Sequence, residues 1–248
     1  MRNAPSLCAL EPSARSAQFS STFRWSYEMS ATHEVPAFSA IAAPGIRARD
    51  VPLFKRPFDI LAATAILLAI APLLALIALT IKLGSRGPVF FRQERVGRNG
   101  SPFTMWKFRS MYVDAEARLA GLQGASERDG VCFKMRNDPR VTPIGRLLRR
   151  SSFDELPQLF NVMLGDMSLV GPRPALPREV AQYSAHDRNR LAALPGITGL
   201  WQVSGRADIS FEEMIRLDLA YIRDCSLLTD LRLLLATVSA VATARGAY

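Results

Sequence analysis

Two adjacent carboxylates, Asp154 and Glu155, stand between a cluster of arginines and a proline in the run RRSSFDELP, residues 149–157. Neighbouring side chains on a helix point about 100° apart, so the pair cannot do one job on one atom. The natural division has one carboxylate acting on a substrate and the other on a metal ion or a proton. Proline is accepted in the first turn of a helix, so Pro157 sets the pair at or just before a helix N-terminus, where partial positive charge favours ionised carboxylates. The same letters also fit a capping box, in which Glu155 would only bond back to the Ser152 amide. Local sequence leaves both readings open.

Arginines recur where the backbone is restricted: Arg149 ahead of the pair, Arg173 between Pro172 and Pro174, and Arg206 after Ser204-Gly205. Prolines on both sides limit how a loop moves, which is one way to pre-set a guanidinium for a phosphate. Singly, each arginine reads as a surface salt-bridge partner. Together they read as a polyanion site beside two carboxylates, and carboxylates, arginines and diphosphate imply Mg²⁺ bridging anionic oxygens. The piece from Phe103 to Met111 mixes apolar Phe103, Met105 and Trp106 with Lys107 and Arg109. It reads as a half-buried strand presenting cations on one face, which adds Lys107 and Arg109 to the phosphate-binding candidates.

Something must bring these groups to one place. The run from Ile60 to Ile81 carries no charge and has Pro72 near its middle. A straight helix of that length would just cross a hydrocarbon layer of roughly 30 Å. Pro72, preceded by Ala71, removes a backbone bond and bends or breaks the axis. Lys55 and Arg56 before the run match Lys82 and Arg86 after it, without the asymmetry of a spanning helix. These features favour a helix that dips into one leaflet and returns; a kinked span and a buried core helix are the alternatives.

Residues 1–52 are rich in Ser, Ala and Pro without a sustained period and read as a disordered, variable tail. The membrane segment occupies 53–83, and 84–248 form the catalytic part. There the pattern predicts strand pieces over 89–97 and 103–111, helices over 113–122, 144–150 and 158–164, and a long helix from Arg178 to Leu194. A glycine-punctuated loop around Trp201 follows, then a helix from Phe211 to Arg223. A last amphipathic helix from Leu228 carries the stripe Leu231, Leu234, Leu235, Val238 and Val241. The fold class is α+β and mostly helical: a re-entrant helix-break-helix plus a small cytosolic domain with short strands and surface amphipathic helices.

Composition narrows the partners. The chain of 248 residues has 31 Lys+Arg against 22 Asp+Glu, a net charge of +9, which suits anionic lipid or an anionic substrate. Nucleic acid is not expected, because the basic residues are interleaved with Pro and Gly and no docking motif is present. Cys8, Cys132 and Cys225 are far apart and accompanied only by His33 and His186, so neither a zinc site nor a disulfide framework is expected.

From Lys55 to Tyr248 the chain resembles the bacterial sugar transferases, the monotopic polyprenyl-phosphate phosphoglycosyl transferases. The matching words are KRPFD (55–59), FRQERVG (91–97), WKFRSM (106–111), SFDELPQLFNV (152–162), MSLVGPRP (167–174) and PGITGLWQVSGR (195–206). The resemblance implies transfer of a sugar 1-phosphate from a UDP-sugar to undecaprenyl phosphate with release of UMP, through an aspartyl-phosphosugar intermediate. It implies Asp154 as nucleophile, Asp154 and Glu155 facing Mg²⁺, and Lys107, Arg149 and Arg173 on phosphate or uridine-side groups. Asp218 and Tyr221 match a family Asp-x-x-Tyr pattern near the site. It also implies a re-entrant anchor in the bacterial inner membrane, with the catalytic domain on the cytoplasmic face. Many relatives have Ser before the membrane proline where this chain has Ala71, which removes a hydroxyl that would satisfy a freed carbonyl at the bend.

The wording around residues 199–206 and the long segment between Met111 and Phe133 resemble hexose 1-phosphate transferases of exopolysaccharide, O-antigen or capsule initiation, with glucose or galactose as the expected sugar. A homo-oligomer is left open. Two rivals stand beside this expectation: a non-catalytic membrane adaptor of a polysaccharide assembly complex, and a glycosyltransferase that moves the sugar without its phosphate.

Overall fold

The computed structural model describes residues 54–119, 121–122, 135, 137–204 and 209–242. The expected tail over 1–52, the polar loop over 123–130, Cys8, Cys132 and Arg206 lie outside the described residues. Among those described, the fold is mostly helical α+β with one long apolar helix and two small sheets.

That helix, α1 (Lys55–Gly84), is one element, and the expected break at Ala71 and Pro72 does not interrupt it. Pro72 has no N–H to give, so the ladder lacks one bond there. Buried positions recur every fourth residue, Lys55, Asp59, Ala63 and Leu67, and then at Ile77 and Ile81. They form a single stripe against the protein, while Leu61, Leu68, Leu76, Leu79 and Leu83 on the other sides are exposed. The first half of the stripe joins the main core with Leu159, Val162, Leu219 and Ile222. The second half packs with Phe108 and Leu148 in a separate cluster. α1 is therefore long and apolar enough to cross a membrane, yet lies against the domain along its length.

Both its ends are fastened. At the start, Lys55 Nζ pairs with Asp230 and donates to the Val170 carbonyl at 3.3 Å, while Asp59 accepts from Ser168 Oγ at 2.7 Å. At the finish, Arg109 donates to the Ser85 carbonyl (2.9 Å), Ser85 Oγ (2.8 Å) and the Arg86 carbonyl (2.8 Å).

The expected strand pieces form an antiparallel hairpin of β1 (Phe90–Val96) and β2 (Pro102–Phe108), with Phe90 opposite Phe108 and Val96 opposite Pro102. Asn99 takes the left-handed conformation in the turn (φ 57°), a region that Asn tolerates. The open edge of β2 is covered by one side chain. Asn161, fully buried, accepts the Trp106 N–H at 3.0 Å and donates to the Thr104 carbonyl at 2.7 Å. Helices α2 (Ala115–Leu119), α3 (Pro143–Ser151) and α4 (Gln158–Leu164) fall where the pattern places them.

Beyond α4 several expectations are corrected. The Pro-rich stretch is preceded by β3 (Ser168–Val170), which pairs in parallel with β4 (Gly196–Thr198). A Cβ at Gly196 would collide with the Gly171 amide, so this close pairing requires glycine there. The long helix expected from Arg178 to Leu194 is two short pieces, α5 (Pro177–Val180) and a 3₁₀ turn at Asp187–Ala192. Between them Ser184 and Asp187 bond each other's backbone amides, an alternative to the helical ladder that these residue types offer. Where a loop was expected around Trp201 there is a turn of helix, α6 (Leu200–Ser204). α7 (Phe211–Asp224) starts at a Ser210 cap, and α8 (Leu227–Ala242) closes the described chain. Leu233 of α8 faces the core, whereas Leu231, Leu235 and Val238 of the expected stripe are exposed.

Candidate active site

The acidic pair sits where two helices meet end to end. Thr142 caps α3, its hydroxyl accepting the Gly145 N–H at 2.9 Å. α3 stops at Ser152, which turns left-handed (φ 59°) and sends the chain into a 3₁₀ turn, Phe153–Glu155, before α4 begins. With Ser152 ending α3, its side chain caps nothing, and the capping-box reading fails. Glu155 reaches instead across to β2, where Lys107 Nζ donates to its Oε1 at 2.6 Å.

Glu155 and Lys107 line an open cleft together with Arg95, Gln158, Arg173 and Gln202. Asp154, only 8% exposed, lies beside Glu155. Arg149 approaches from the last turn of α3, its Nε donating to Ser110 Oγ at 3.0 Å, and its charge acts on Asp154. Arg173 stands exposed on the rim, its guanidinium 6.0 Å from the Trp201 ring centre.

Adjacent in sequence, the two carboxyls are driven apart in acidity. Burial pushes Asp154 up to about 6; Lys107 and Arg149 pull it back, and the neighbouring charge of Glu155 adds to the rise. Burial also acts to raise Glu155, but the charges of Lys107 and Arg173 and the Lys107 hydrogen bond outweigh it and hold it at about 2. Lys107 and Arg173 thus favour the charged form of Glu155, while burial disfavours that of Asp154. Such a split assigns different duties to two carboxylates in one site. Burial, followed by the charge of Arg173, lowers Arg95 to about 10.

Among the described residues no cluster of three or more His, Cys, Asp or Glu is placed to hold a metal ion alone. Mg²⁺ needs no such cage, since it binds through one or two carboxylates, waters and substrate phosphates. Two carboxylates beside a cation-lined cleft fit that shared kind of site.

The structure thus brings together Asp154, Glu155, Lys107, Arg149 and Arg173. It does not bring Arg109. β2 ends at Phe108, and the Arg109 guanidinium is drawn to the carbonyls closing α1, the negative end of that helix. Nor does it bring Asp218 or Tyr221 to the cleft. Asp218 is 1% exposed and paired with Arg190 at 2.5 Å, and burial, opposed by Arg190, raises its carboxyl to about 6. Tyr221 donates to Asp230 (2.7 Å) and to the Val170 carbonyl (3.0 Å) inside the core.

Arg95 and Gln158 are cleft residues that sequence reasoning missed. A signal for Arg95 existed. Arg95, Gln93 and Phe91 stand opposite Phe103, Met105 and Lys107 in the hairpin, so period-2 alternation puts Arg95 on the Lys107 face. Its Nη1 donates to the Pro174 carbonyl at 2.9 Å, tying β1 to the Arg173 loop.

With the geometry in place, comparison with known proteins is informative. A family model described as bacterial sugar transferase matches residues 51–244. The galactosyl transferase CpsE of Streptococcus agalactiae is 48% identical over 162 residues, 65% of this chain and 36% of the relative. The exopolysaccharide production protein ExoY of Rhizobium meliloti is 41% identical over 198 residues, 78% of this chain and 88% of the relative. The UDP-glucose:undecaprenyl-phosphate glucose-1-phosphate transferase of Escherichia coli is 44% identical over 195 residues, 75% of this chain and 39% of the relative. The chain therefore covers nearly all of ExoY but well under half of the two longer relatives.

Proposed function

The chain belongs to the bacterial sugar transferase family, and from that premise we propose that it is a phosphoglycosyl transferase. It moves a hexose 1-phosphate from a UDP-sugar to undecaprenyl phosphate and releases UMP. The observation that carries the reading is the acidic pair, Glu155 lining a cleft with Lys107, Arg95 and Arg173 and the buried Asp154 beside it.

In the first half-reaction an Asp154 oxygen attacks the sugar-bearing phosphorus. A carboxylate-phosphorus bond forms, the bond from that phosphorus to the bridging oxygen breaks, and UMP leaves with the electron pair. In the second, an oxygen of the lipid phosphate attacks the same phosphorus, frees Asp154 and leaves the sugar on a polyprenyl diphosphate. Covalent catalysis of this kind divides one difficult exchange into two, and the soluble and lipid substrates never need to be bound together. Asp154 serves as nucleophile only when ionised, and Lys107 and Arg149 favour that form. Lys107, Arg149 and Arg173 supply fixed positive charge to the transferring phosphoryl. Mg²⁺ would be held by Asp154 and Glu155 with donor phosphate oxygens, and would neutralise charge on the diphosphate.

Membrane association follows from α1, and its depth from how α1 is fastened. Lys55 at one end and the Arg109 contacts at the other both bear on the same domain. An unbroken helix held at both ends and along one stripe to one domain suits an anchor whose exposed apolar faces sink into a single leaflet. Exposed Leu231, Leu235 and Val238 of α8 and Phe160, Met163 and Leu164 of α4 suit headgroup depth. We assign the enzyme to the cytoplasmic face of the bacterial inner membrane, at the opening step of exopolysaccharide, O-antigen or capsule assembly, with glucose or galactose as the sugar.

The test is the nucleotide product. Membranes holding the enzyme, undecaprenyl phosphate, Mg²⁺ and UDP-glucose or UDP-galactose should yield UMP and a lipid diphosphosugar. Release of UDP with a lipid monophosphosugar would make it a glycosyltransferase instead. No turnover of any UDP-sugar, N-acetyl sugars included, would return it to the adaptor reading.

A further inference from the structure

Arg173 presents an exposed side chain from a segment whose backbone is held in place. The segment that carries it is tied down carbonyl by carbonyl. Val170 O accepts from Tyr221 Oη (3.0 Å) and Lys55 Nζ (3.3 Å), Pro172 O from the Gly196 amide (2.8 Å), Pro174 O from Arg95 (2.9 Å) and Ala175 O from the Val96 amide (2.9 Å). Among the described residues, the carbonyl of Arg173 itself is held by one group, Nη2 of Arg190, at 3.1 Å.

Arg190 is an expensive choice for that task. It is 3% exposed, and a buried cation requires a partner and well-directed bonds. Asp218, 1% exposed, supplies the charge by accepting from the same Nη2 at 2.5 Å, while Tyr183 Oη accepts from Nη1 at 2.6 Å. Among the described residues its Nε has no hydrogen-bond partner, and the bonds of its two terminal nitrogens direct the fork. Through Arg190, Asp218 of the Asp-x-x-Tyr pattern is linked to the backbone of a cleft residue.

We propose that Arg190, oriented by Asp218, is a positioning residue that sets Arg173 for the donor phosphates. Asp218 thereby contributes to the reaction without meeting substrate. The inference rests on the reading of Arg173 as a phosphate-binding group.

A double-mutant cycle tests it, with UMP release followed on whichever of UDP-glucose and UDP-galactose the parent turns over. Arg190→Lys keeps a cation opposite Asp218 but loses the fork. It should still accumulate in membranes and melt close to the parent, yet lose roughly tenfold in kcat/KM, since misplacing a binding group by an ångström costs up to about a hundredfold. The loss should appear as a raised donor KM. A merely structural role would lower the amount of active enzyme, and hence kcat, with KM unmoved. Arg173→Ala should lose about a hundredfold, and the double variant should be no worse than Arg173→Ala alone. Losses that multiply, an unchanged donor KM, or no loss in Arg190→Lys would overturn the positioning role while leaving Arg173 in place. Full activity of Arg173→Ala would instead remove Arg173 from the phosphate site and take the inference with it. Should Arg190→Lys not accumulate, Asp218→Asn takes its place in the same cycle; failure of both would make the pair a folding element and overturn the proposal.

Discussion

Two regions of this chain bring acids and cations together, and they differ in how far their polar groups are already bonded to one another. At the root of α1, Lys55, Asp59, Asp230 and Tyr221 are all buried, and each is bonded to another or to the backbone of β3. At the cleft, Glu155 has Lys107, but Arg173 stands exposed and, among the described residues, in no ion pair. The first arrangement is complete within the protein and holds a helix on a domain. In the second, cations outnumber carboxylates along the cleft, as the proposed binding of donor phosphates requires. Polar groups left open to a cleft, rather than charge as such, mark the region proposed to be reactive.

Breaking the open region should cost chemistry and spare the fold. Asp154→Asn removes the nucleophile in a near-isosteric swap, and turnover should drop by at least about 10⁴-fold with membrane association and melting temperature unchanged. Lys107→Met should cost roughly a hundredfold in kcat/KM. It should also displace the pH profile. Asp154 acts as an anion, so activity rises with pH through about 6 in the parent. Losing a cation that favours the ionised form moves that midpoint upward, and an unmoved or lowered midpoint would separate Lys107 from Asp154. Breaking the closed region should do the reverse. Lys55→Met strands Asp230 and should destabilise the fold by about 3–5 kcal/mol, read as a lower melting temperature in detergent, with the loss lying in the quantity of folded enzyme. The smallest effect belongs to the outer face of α8. Leu235→Ser should weaken retention in carbonate-washed membranes only slightly, because among the described residues α1 exposes more large apolar side chains than α8.

Legibility followed the range of the signal. α1, the hairpin, α4 and α7 carry their own periods, and the Asp-Glu pair before Pro157 announces itself in the chain. The strands β3 and β4 are three residues each and exist through pairing across the chain, which no local period records. The helix expected from Arg178 broke because Ser184 and Asp187 prefer each other's backbone. Lys107 and Arg109 look alike in sequence, but only a known end to β2 tells that the second turns away toward α1. Asp218 and Tyr221 were placed near the site without their partners, Arg190 and Asp230, which the sequence gives no reason to choose.

The direct test of the central claim is the mass of the enzyme itself. Purified protein incubated with its UDP-hexose and Mg²⁺, with no lipid acceptor, should release UMP once per active molecule and gain the mass of a hexose phosphate, which peptide mapping should place on Asp154. Donor consumption that requires undecaprenyl phosphate from the outset, with the protein mass never changing, would contradict an aspartyl intermediate.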